Sequence, residues 1–262
     1  MISASVALAR RALRVTLRRP QFLAPLLIFP TLLLAVNTGG LSQATSLPGF
    51  WEQYGVTAPY PSFFEFQLAA AMSQSLLLGG VATGIAVALE LEMGFFDRLV
   101  AAPIPRASIV LGRLLAAGAI ALVQLSWFVA LSLIFGSGIA DGIPGLIEVY
   151  LIGAIAGIGF AGIGVTLALR AGNASTVQGI FPLVFVVLFL SSAFFPPNLL
   201  TSPADVIAKW NPLSYIANGL HAPIIGASGT SNVLEGFAAA IGLALFFGLL
   251  ATWSLRGRLQ SK

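Results

Sequence analysis

The sequence contains no cysteine and a single histidine, and only 8% of its 262 residues are charged. Without cysteine there can be neither disulfides nor thiolate metal sites. Soluble domains carry about 25% charged residues. A chain that falls so far below that figure, with 58% hydrophobic residues, reads as an integral membrane protein. Its length suits one domain of several crossings and leaves no room for a soluble catalytic domain. No Gly-x-x-x-x-Gly-Lys-Ser/Thr loop is present, so the chain has no Walker-type cradle for ATP phosphates. Ionisable residues deep inside apolar segments are lacking too, and ion- or proton-driven transporters keep their coupling groups there. Uphill transport by this chain would therefore draw its energy from another polypeptide. Glu90 and Glu92 stand two residues apart on a helix, point in nearly opposite directions and make no catalytic carboxylate pair. They are expected to cap the inner end of the second span or to pair with Arg98 or Arg106. His221 has no metal-ligand companions near it and reads as an interfacial polar residue. No catalytic, cofactor-binding or metal-binding residue is expected.

What the chain does have is apolar length. Six segments reach the roughly 20 residues needed to cross a bilayer: 22–40, 66–90, 109–136, 147–169, 177–195 and 233–255. With both termini cytoplasmic, twelve of the thirteen Lys and Arg residues fall inside and only Lys209 outside. The positive-inside rule fixes that orientation. Residues 1–20 carry Arg10, Arg11, Arg14, Arg18 and Arg19 with Val6, Ala9, Leu13 and Leu17 on another sector, the pattern of an amphipathic interfacial helix. The Arg18-Arg19 pair also looks like a twin-arginine export signal, a reading rejected because five further apolar segments follow.

The densest charge after the N-terminus lies between the second and third spans, from Glu90 and Glu92 to Arg106. Phe96, Leu99 and Val100 share one side at helical spacing, with Asp97 and Ala101 turned away. Gly94 loosens the start, and Pro103 and Pro105 stop the helix. A short amphipathic helix results, with Phe95, Phe96 and Leu99 as apolar anchors for a partner and Asp97, Arg98 and Arg106 setting orientation.

On the other side, Ser62 to Glu65 reads as a capping box opening the second span. Residues 196–232 are too broken to span. Ser202-Pro203-Ala204-Asp205 predicts one short helix started by a capping box, and Asn211-Pro212 a second with asparagine capping. Trp210 and Tyr215 suit the headgroup level. Both helices are expected to dip into the outer leaflet. Gly153 and Gly157, continued by Ala161, Gly164 and Ala168, mark a close helix contact in the fourth span. Gln74, Gln124 and Gln178 are candidates to line a substrate path, or else bond neighbouring helices.

The order of these pieces resembles the permease subunits of ABC-2 type exporters, in particular the daunorubicin-resistance branch of bacterial drug-efflux systems. The resemblance rests on Arg18-Arg19-Pro20 before a Pro30-containing span, Glu92-Met93-Gly94, Asp97-Arg98-Leu99, Ala102 to Arg106, Leu111-Gly112-Arg113, and Trp210 to Tyr215. His221 departs from it, at a position where relatives often carry arginine. The resemblance implies a single all-α polytopic domain over residues 1–262, with six transmembrane helices and a cytoplasmic coupling helix between the second and third. Outer re-entrant helices would lie between the fifth and sixth. It further implies a second permease copy, identical or related, and two nucleotide-binding ATPase subunits that hold ATP and Mg. The location would be the bacterial cytoplasmic membrane and the cargo a hydrophobic or amphipathic compound. Competing readings are lipid or glycan export by a permease of the same superfamily, a structural subunit without transport, and an intramembrane enzyme. The last lacks any convergent cluster of His, Asp or Glu.

Overall fold

The computed structural model describes residues 2–18, 20–46, 50, 51, 56, 61–195, 199–227 and 231–260. Among them every regular element is helical. In chain order these are α1 (Ile2–Leu17), α2 (Pro20–Leu41), α3 (Phe63–Glu92), α4 (Phe95–Ala101), α5 (Ala107–Ile134) and α6 (Gly142–Ala171). Then follow α7 (Ala174–Gly179), α8 (Phe181–Phe189), α9 (Ala204–Trp210), α10 (Pro212–Ile225) and α11 (Ser231–Gln260), with a 3-10 turn at Ser42–Ser46 after α2. Arg19 and Lys262 of the predicted basic set lie outside the described residues.

Five helices, α2, α3, α5, α6 and α11, are long and apolar enough to cross a membrane. The predicted span 177–195 is no single helix. It begins as α7, breaks at Ile180, resumes as α8 and ends at Phe189. Pro182 brings no N–H to the first turn of α8, so the break falls where an intrahelical bond could not form. Residues 190–195 then run on as irregular backbone.

The bundle is built around α6, whose small residues let three neighbours approach. A Cβ placed on Gly80 of α3 would sit 2.5 Å from the Phe160 carbonyl oxygen, and one on Gly84 2.7 Å from that of Gly164. Gly157 faces Ala121 of α5 at 2.6 Å by the same construction, and Gly159 faces Leu243 of α11 at 2.9 Å. The small-residue run predicted in this helix thus meets α5 through Gly153 and Gly157 and α3 through Gly164. By contrast α2 and α11 are peripheral. Ile241, Leu245, Leu249 and Trp253 recur every fourth residue along the exposed side of α11.

Ten arginines among the described residues gather at one end of the bundle, together with both chain ends and α4. This is the basic end of the bundle. Here Arg258 donates to the Leu169 carbonyl at 2.9 Å, satisfying the last turn of α6. At the opposite end Ser62 and Glu65 form the predicted reciprocal capping box at the start of α3. Phe50 and Trp51, between the 3-10 turn and α3, are buried against Phe66.

Candidate functional site

The site is the joint between α3 and α5 at the basic end. Gly94 takes the left-handed conformation (φ 66°), which a side chain would strain, and so turns the chain out of α3. Helix α4 then runs seven residues and stops at Ala102 before Pro103 and Pro105, as the sequence predicts. Its inner face is fixed to the chain's own body. Phe96 is 3% exposed, in a buried cluster with Val87, Ala88, Ile109 and Val110, and Leu99 and Val100 pack on the same cluster.

That arrangement corrects the expectation that Phe96 anchors a partner. It anchors α4 instead, because both helices flanking the joint present apolar residues to it. Phe95 is half-buried beneath the Arg11 guanidinium, which lies 4.0 Å from its ring centroid. The residues turned outward are Met93, Asp97, Arg98, Ala101, Pro103, Pro105 and Arg106. A basic groove between Arg106 and Arg256, floored by Leu255, runs beside them.

The two glutamates do point apart, and their partners differ from those expected. Glu90 is paired with Arg113 of α5 and with Arg11 of α1 (3.2 Å), not with Arg98 or Arg106. Glu92 accepts the backbone N–H of Ala174 at 2.8 Å, closing the first turn of α7. Ionic and capping contacts therefore tie α1, α3, α5 and α7 together around the root of α4. Nothing near in sequence signals the Arg11 contact, since 79 residues separate the pair.

The second predicted region is the α9–α10 elbow. Asn211 caps α10 as predicted, accepting from Leu213 N at 3.0 Å, with Pro212 in the first turn. Its amide also donates to the carbonyls of Val187 (2.7 Å) and Leu190 (3.2 Å) at the end of α8. These bonds dock the elbow against the end of α8. Trp210 is 84% exposed beside Gly242, Leu243 and Phe246, near the middle of α11 rather than at its end. Tyr215 donates its hydroxyl proton to the Lys209 carbonyl at 2.8 Å.

Helix α9 starts without the predicted capping box. Pro203 occupies the cap itself, and the amides of Ala204 and Asp205 are taken by the Thr201 carbonyl. His221 is fully buried, not interfacial. Its Nε2 donates to the Phe66 carbonyl at 3.0 Å, and its ring stacks on Phe66 with centroids 4.4 Å apart.

The three glutamines are not brought together. Gln124 is buried and donates to the Ser75 carbonyl at 2.8 Å, a bond between α5 and α3. Gln74 is 1% exposed within α3, and Gln178 is exposed on α7 at the basic end.

With this geometry in view, residues 4–225 match the model of a family described as ABC-2 type transporter. The chain belongs to the ABC-2 type transporter family. It is a multi-pass membrane protein and a transporter permease subunit, and the family implies an ATP-binding partner subunit. It is 25% identical over 189 residues to the daunorubicin resistance ABC transporter permease protein DrrB1 of Streptomyces coeruleorubidus. That match covers 72% of this chain and 67% of the relative. In this ABC-2 permease the outward face of α4 is the exposed, charged surface of the α3–α5 joint.

Proposed function

We propose that the protein is the membrane half of an exporter that moves a hydrophobic or amphipathic compound out of a bacterial cell, driven by ATP hydrolysed on separate subunits. The observation that carries this reading is α4 itself. It is held through Phe96 and the Glu90 and Glu92 contacts, yet turns Asp97, Arg98 and Arg106 outward. A short helix so fixed transmits displacement to α3 and α5 rather than absorbing it.

The basic end is cytoplasmic in this reading, in keeping with its arginines. The nucleotide-binding subunits dock on α4, with two of them, carrying ATP and Mg, serving two permease copies that are identical or related. The fifth of six crossings is made in pieces, by α7, α8 and residues 190–195. The elbow of α9 and α10 re-enters from the outer side. Drug-like cargo is supported by the name of the daunorubicin resistance relative.

The test is Arg98→Glu, with Arg106→Glu as a second variant, in vesicles containing the cognate ATPase. Both variants insert normally, while ATPase co-purification and cargo flux fall at least tenfold. Wild-type flux in both variants would remove α4 from the coupling path.

A further inference from the structure

Beside the joint lies a cavity of about 290 Å³ between α1, α2, α3 and α5. Its mouth holds Arg11, Glu90 and Arg113, and its walls include Phe22, Leu26, Ala82 and Ile120. On α3 the lining runs from Glu90 back to Gly79. At 1.5 Å per residue that is about 16 Å, close to half the roughly 30 Å hydrocarbon thickness of a bilayer. The cavity is thus charged at the basic end and apolar for the depth of one leaflet.

The charges at its mouth do not cancel. Two arginines share one glutamate, leaving one positive charge, and no other ionisable residue lines the cavity among those described. The Arg113 and Glu90 side chains are 12% and 13% exposed, so water screens them poorly. Arg11 is 42% exposed and available to a further anion. Arg10 and Arg14 extend the cationic surface along α1.

We propose that this cavity is a binding site for an anionic phospholipid, its phosphate on Arg11 and Arg113 and one acyl chain along Phe22, Leu26, Ala82 and Ile120. Basic pockets between transmembrane helices hold lipid headgroups by this combination of charge and apolar depth. The apolar stem selects a lipid over free phosphate, because a soluble anion leaves that wall unfilled. Phe95 and Met93 also line the cavity, so the lipid touches the root of α4. The site depends on the basic end lying in a leaflet, and not on what docks against α4.

The experiment uses the purified full chain, stripped of lipid in detergent and titrated in parallel arms. The ligands are phosphatidylglycerol, phosphatidylcholine with the same chains, and inorganic phosphate, with retention read by native mass spectrometry. Phosphatidylglycerol binds several-fold tighter than phosphatidylcholine, and millimolar phosphate does not displace it. Arg11→Gln, which leaves the Glu90–Arg113 pair in place, weakens phosphatidylglycerol about fivefold, the effect of one interfacial charge. Ala82→Phe fills the stem and weakens both lipids. Equal binding of the two lipids, displacement by phosphate, or unchanged retention in Arg11→Gln would each overturn the proposal. Loss of coupling in Arg98→Glu with lipid binding intact separates this site from the function proposed above.

Discussion

At the basic end, polar groups are satisfied by ions: Glu90 by Arg113 and Arg11, and the Leu169 carbonyl by Arg258. In the α8–α10 region, among the described residues, the same need is met by neutral side chains. Gln67 donates to the Phe194 carbonyl at 3.2 Å, the Ser192 backbone N–H donates to the Ser214 hydroxyl at 3.1 Å, and Asn211 donates to Val187 and Leu190. The difference follows from depth. Near the membrane surface a charge keeps part of its hydration, whereas at mid-depth an ion is expensive and an amide or hydroxyl is not. Broken backbone survives inside a membrane only where protein groups replace water, and in the crossing proposed for α7, α8 and residues 190–195 these side chains would do so. One end can therefore present charge to a partner, and the other would hold the proposed irregular crossing together.

The contrast can be broken most severely at Phe96. Phe96→Ala empties a packed site and costs about 3–5 kcal/mol, seen as a lower unfolding midpoint in detergent, with transport lost alongside stability. Asn211→Ala is next. It removes the helix cap and leaves the Val187 and Leu190 carbonyls without that donor, costing about 2–3 kcal/mol. Because that damage is remote from α4, ATPase co-purification stays at the wild-type level. The smallest effect on stability belongs to Arg98→Glu, within about 0.5 kcal/mol as for other surface changes, although this variant loses the most coupling. A large stability loss in Arg98→Glu would show that the outward face is structural, and would erase the contrast.

What could be read along the chain was local. The capping box at Ser62, the asparagine cap at Asn211 and the limits of α4 at Gly94 and Pro103 each depend on residues a few positions apart. The capping box predicted for α9 was misread locally, whereas Glu90 and His221 were misread because the deciding neighbour was distant. Glu90 meets Arg11 across 79 residues, and His221 meets Phe66 across 155. The predicted fifth span was apolar enough to read as one helix. Pro182 breaks it at Ile180, and the end of its half-length helix is closed at Val187 and Leu190 by Asn211, from beyond the segment itself.

Composition alone determined that this chain lives in a membrane. Proline and glycine placement set where α4 begins and ends. Tertiary structure decided which face of α4 is buried, which arginines hold Glu90, and where along α11 Trp210 lies. The reason is physical. Hydropathy and backbone preference act residue by residue, whereas burial and ion pairing exist only once helices distant in sequence have packed.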